Sequence, residues 1–79
     1  MSVICREYNA VPGANRVYHP SLSGVRILWV KLNGIGLTKV PLLSTIGNRE
    51  FSYGFASIYV DENNRFGAGE KIEILYEEN

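Results

Sequence analysis

The sequence predicts an all-β domain, a small antiparallel β-sandwich or partly open barrel of about six strands with an extended amino-terminal arm. Three observations carry that prediction. Apolar residues alternate with polar ones in several short runs, each bounded by Gly, Pro, Asn or Asp. No run keeps a helical period over as many as about ten residues. The chain has 79 residues, enough for a single domain over positions 1–79 with one modest core.

Taken in order, SVICREY (2–8) reads as a first strand, with β-branched Val3 and Ile4 and with Cys5 as a small buried hydrophobe. Residues 9–23, NAVPGANRVYHPSLS, hold two prolines and a Pro12-Gly13 turn signal. Proline removes ladder donors, so this stretch is expected to be an irregular arm or long loop, with at most an edge strand around Arg16–Tyr18. GVRILWVKL (24–32) is the strongest strand. Strict alternation places Val25, Ile27 and Trp29 on one face and Leu28, Val30 and Leu32 on the other, which predicts cover on both sides and a core role for Trp29.

Asn33-Gly34 then supplies two residues tolerant of positive φ, the preferred pair for a type I′ hairpin between Val25–Leu32 and Ile35–Val40. PLLSTIGNRE (41–50) reads as a loop with a single turn. FSY and FASIYV follow as strands interrupted at Gly54, with Ala56, Ile58 and Val60 on one face. DENNR is a turn, Phe66 anchors the return, and GAGE leads into KIEILYE. In that closing strand Ile72, Ile74 and Tyr76 face inward, Lys71, Glu73 and Glu77 face outward, and Leu75 is the exception.

The chemistry the sequence excludes is informative. One Cys rules out an internal disulfide, and one Cys with one His is a poor basis for a metal site, so no cofactor is expected. His19 lies before Pro20 in the irregular stretch, where nothing pins it beside a serine or Cys5. Asp61-Glu62-Asn63-Asn64 departs from a calcium loop at Arg65 and Phe66. Gly67-Ala68-Gly69 has neither the third glycine nor the Lys-Ser/Thr pair of a phosphate loop. The reading is of a protein that is not an enzyme.

Charge is balanced overall but uneven along the chain: residues 1–60 carry a net +4 and residues 61–79 a net −4. Regions of opposite sign on different faces would let copies attract head to tail, whereas intermixing would merely keep the surface wet. Tyr53, Phe55 and Tyr59 suggest a stacking platform for single strands, but the basic residues are singly spaced, which argues against nucleic acid. Neither a basic-plus-apolar leader nor a long apolar run is present, so neither signal-peptide secretion nor a membrane span is expected.

The order of pieces carries one resemblance. VRILWVKL, the turn NGIGL, the aromatic strand REFSYGFASIYV, a polar turn and the glycine–glutamate step into GEKIEILYE resemble small β-sandwich modules of tailed-phage virion proteins. These are the capsid decoration, head–tail and tail or fibre components; the likeness spans roughly residues 24–77. It implies a structural, non-enzymatic virion protein, made in the host cytoplasm, that packs against copies of itself or a larger capsid or tail protein. The candidate interface residues are Arg16, Tyr18 and His19 on the arm and Glu73 and Glu77 on the closing strand, with Tyr18 as anchor. The alternative is a small intracellular binding module, OB-like, for a protein or single-stranded nucleic acid.

Overall fold

The computed structural model describes residues 2–78, and its regular structure is almost all strand, with two short 3-10 turns. Eight of them are present among the described residues, where about six were expected: β1 (Ser2–Asn9), β2 (Arg16–Tyr18), β3 (Arg26–Leu32), β4 (Ile35–Gly36), β5 (Thr38–Lys39), β6 (Glu50–Gly54), β7 (Ser57–Tyr59) and β8 (Lys71–Glu78). They form two four-stranded sheets, ordered β1-β8-β3-β4 and β2-β7-β6-β5. The pairing is antiparallel except that β5 lies parallel to β6, a departure from the wholly antiparallel expectation.

That departure has a local cause. Asn33 (φ 51°) and Gly34 (φ 81°) make the expected turn, and Leu32 pairs with Ile35 across it. The returning strand then lasts only two residues. Leu37 donates a last bond to Val30 O at 2.9 Å, and the chain leaves for the second sheet, where Thr38 and Lys39 pair with Glu50 and Phe51. A single turn follows, closed by Ser44 N–H to Pro41 O at 3.1 Å.

One core is drawn from both sheets. The first supplies Ile27, Val30, Ile72, Ile74 and Tyr76; the second supplies Val17, Phe51 and Ile58. Phe66 anchors the return towards β8, with 3% of its surface exposed. β8 is an inner strand of the first sheet, paired on both edges, to β1 and β3, and Ile72, Ile74 and Tyr76 form its inward row with the period of two expected of a strand.

Residues 9–23 are not a free arm. Ala10, Val17 and Leu22 are buried in the core, and Arg16–Tyr18 forms the anticipated edge strand against β7. Backbone bonds tie the rest to residues 60–70: Ala10 N–H to Glu70 O (3.0 Å), Gly13 N–H to Phe66 O (2.7 Å), Phe66 N–H to Ala14 O (2.9 Å) and Val60 N–H to Asn15 O (2.9 Å). The Tyr53 hydroxyl donates to Leu22 O and accepts from Val25 N–H, clamping the lead into β3. The prolines and glycines break periodicity without breaking contact, because the backbone groups freed from a ladder find partners in the chain itself.

A bulge corrects the faces of β3. Ile27 pairs with Tyr76, but Trp29 pairs with Leu75, so Leu28 is an extra residue on its strand. The alternation therefore changes phase at Leu28. Ile27, Val30 and Leu32 face the core, while Trp29 and Lys31 face away from it. Trp29 is half-buried on the outer side rather than in the core, and Leu28 is 40% exposed. Cys5 is likewise exposed rather than buried, because it sits opposite Leu75 on that same outer side. Among the described residues no helix is long and apolar enough to cross a membrane.

Candidate functional site

The side of the first sheet turned away from the core carries a regular array of side chains. Strand register builds it in rows. Cys5, Leu75 and Trp29 are direct neighbours across β1, β8 and β3. On one side of this row stand Val3, Glu77 and Arg26; on the other, Glu7, Glu73 and Lys31. The result is an apolar stripe between two charged rows.

Each component has a local reason. Leu75, the exception in the closing strand's pattern, points outward because its neighbours Ile74 and Tyr76 occupy the core. The bulge at Leu28 brings Trp29 beside it. Neither Trp29 nor Leu75 packs against the core cluster. The Lys31 ammonium lies 4.6 Å from the Trp29 ring centre, a cation–π contact within one strand. Val3, 58% exposed, extends the apolar area towards the sheet edge.

The charged rows answer the question of lopsided charge. Arg26 Nη1 is 3.7 Å from Glu77 Oε1, and Lys71 Nζ is 3.5 Å from Glu7 Oε1. Glu73 lies between Glu7 and Lys31 in the register. On its β3 side the acidic closing strand meets Arg26 and Lys31, and on its β1 side its own Lys71 meets Glu7, so the opposite charges intermix instead of occupying separate faces. Exposed pairs of this kind contribute little to stability, in the range of about 0–1 kcal/mol each. Their effect here is to frame the stripe and keep it wet at its rim.

Of the sequence-derived candidates, Glu73 and Glu77 therefore lie together on this surface. Arg16 and Tyr18 do not join them. They sit on β2, an edge of the second sheet, on the side away from the core, where Arg16 neighbours Tyr59 and Tyr18 neighbours Ser57. Tyr18 is 60% exposed there. Close by, the loop at Leu42–Ile46 and the turn at Asp61–Asn63 enclose a cleft of about 400 Å³ floored by Ser52 and Tyr59.

His19 has a third environment, and it is beside a serine after all. It caps the short 3-10 turn Pro20–Leu22: its Nδ1 accepts from Ser21 N–H at 3.1 Å and lies 2.7 Å from Ser21 Oγ. Ser21 Oγ is also 3.1 Å from the Tyr8 hydroxyl, and the Tyr8 and His19 rings stand 5.3 Å apart. Accepting the backbone N–H requires a bare Nδ1, so this ring is a cap with Nε2 carrying the proton. Burial raises the Tyr8 hydroxyl above the ordinary phenol pKa, offset in part by its hydrogen bond with Ser21.

The remaining sequence motifs resolve into turn chemistry. Asp61 caps the 3-10 turn Glu62–Asn64, with Oδ1 accepting from Asn63 N–H (3.0 Å) and Oδ2 from Asn64 Nδ2 (2.8 Å). Glu70 holds Gly67 N–H and receives Asn33 Nδ2 at 2.7 Å, joining the hairpin turn to the start of β8. Tyr53, Phe55 and Tyr59 do not make one platform. Tyr53 faces the core side opposite Ile58, Tyr59 points the other way, and Phe55 stands in the turn between β6 and β7.

Sequence reasoning missed Trp29, Leu75, Cys5 and Val3 as surface partners. The usable signal was Leu75, an apolar residue among outward-facing charges. Comparison with known proteins returns no match to any family model, curated protein or solved structure.

Proposed function

We propose that this chain is a structural, non-enzymatic assembly protein of a phage-like virion, a small β-sandwich that packs against copies of itself or a larger capsid or tail protein. The observation that supports this most is the outer side of the first sheet. A Trp–Leu–Cys stripe across three strands, rimmed by Arg26–Glu77 and Lys31–Glu73, has the composition of a docking patch: an apolar row that includes an aromatic, and a charged border. Glu73 and Glu77 act at that border, setting register with the partner more than affinity. Arg16 and Tyr18 provide a second, smaller contact from the other sheet.

Residues 9–23 work here as part of the domain and not as a reaching arm, since their backbone groups are bonded to residues 60–70. The order of strands and turns over residues 24–77, which resembles virion β-modules, gives the reading its direction. The test is to purify the particles made by cells expressing the chain and identify their proteins by mass spectrometry. The chain is expected in stoichiometric amounts; its absence from particles that contain the major capsid and tail proteins would overturn the proposal.

A further inference from the structure

The two sheets have four edges, and they are treated unequally. β2 is three residues long, β4 and β5 two each, so each of these edges offers little to pair with. β1 runs for eight residues in unbroken register with β8, from Ser2 opposite Glu78 to Asn9 opposite Lys71. Proteins usually blunt an edge by shortening, bulging, proline or charge; β1 has none of the first three, and its charge is confined to Arg6 on the core-facing side and Glu7 on the outer one.

Its hydrogen-bonding phase follows from one bond. Ala10 N–H reaches Glu70 O at 3.0 Å, which makes Ala10–Glu70 a hydrogen-bonded pair continuing the β1–β8 register. Antiparallel ladders alternate, so the even-numbered residues of β1 bond to β8. Val3, Cys5, Glu7 and Asn9 consequently turn their N–H and C=O groups to the open edge.

We infer that β1 pairs antiparallel with β1 of a second copy of this chain, about a two-fold axis at Cys5. This rests on the assembly reading above and names the partner and the contact. A two-fold axis normal to the sheet must oppose residues of equal parity. The Cys5-centred register does so, placing Cys5 against its own counterpart and Val3 against Glu7, all of them outward-bonding residues, with about six hydrogen bonds in all.

Two observations choose a second copy as the occupant. In this register the apolar row runs on without a break, Trp29–Leu75–Cys5 of one protomer continuing into Cys5–Leu75–Trp29 of the other. The chain also has zero formal net charge, so copies meet without long-range repulsion. The pair is then a continuous sheet with one stripe crossing its middle.

Sedimentation equilibrium on the full chain tests this. The wild type is expected to be dimeric, and a short bismaleimide, each of whose rings adds one Cys5 thiol, is expected to link the protomers covalently. Glu7→Pro removes an outward N–H while sparing the bonds to β8, and should weaken dimerisation by about tenfold or more. Cys5→Lys sets two ammonium groups face to face at the axis and should do the same even if the proline variant does not fold.

A wild type that stays monomeric at its highest soluble concentration overturns the inference, as does a dimer that survives both variants. The two proposals fail separately. A monomer found in purified particles removes the β1 pairing alone, and a dimer missing from them removes the virion reading alone.

Discussion

Two neighbouring residues of β8 give the sharpest test of how this chain is arranged. Ile74 has no exposed surface and faces the core between Arg6 of β1 and Val30 of β3. Leu75, one position on, faces outward between Cys5 and Trp29. Truncating a fully buried Ile to Ala costs about 2–5 kcal/mol, because the lost transfer energy is joined by the cavity left behind. A chain of 79 residues has a total stability of about 4–12 kcal/mol. Ile74→Ala therefore removes a large fraction of it.

Leu75→Ala deletes a similar volume from a half-buried outer position with no contact to the core, so about 1 kcal/mol is expected. Thermal unfolding, followed by the fluorescence of the single tryptophan, Trp29, reads both. At about 4–8 °C per kcal/mol for a domain of this size, Ile74→Ala should lower Tm by at least about 8 °C. Leu75→Ala should lower it by no more than about 8 °C, and always by less than its neighbour. Equal losses, or a larger loss at Leu75, would show that the faces of β8 are assigned the wrong way round. They would refute both the core and the outer stripe.

Two further outcomes follow from backbone strain and from titration. The β6–β7 turn places Phe55 (φ 54°) and Ala56 (φ 57°) in the left-handed region, with Phe55 79% exposed. Replacing the pair with Asn-Gly keeps the turn geometry and should raise stability by about 1 kcal/mol or more in urea titrations, an unchanged or lower midpoint counting against it. The Tyr8 phenol has its pKa raised on folding, so the unfolded chain ionises first. Its contribution is whole below the unfolded value of about 10 and is lost as pH climbs through the folded one. Unfolding free energy should decline above that pH in wild type and decline less steeply in Tyr8→Phe; identical slopes would reject the assignment.

The sequence by itself determined the class of the protein and much of its local grammar. Period-two patterning marked β8 and its inward row of Ile72, Ile74 and Tyr76, because side chains on a strand alternate whatever lies beyond it. Asn33-Gly34 marked its turn, because few other pairs accept positive φ twice. Only the tertiary structure decided what those pieces meet. The bulge at Leu28 exists to fit β3 to β8, and it moves Trp29 from the expected core to the outer stripe. Residues 9–23 lack periodicity, yet partners distant in sequence hold their backbone, which no local pattern announces. The same holds for charge. A strand is acidic or basic in sequence, but whether it forms a separate face depends on its neighbours, and here β8 lies beside Arg26 and Lys31 of β3, which balance its Glu77 and Glu73.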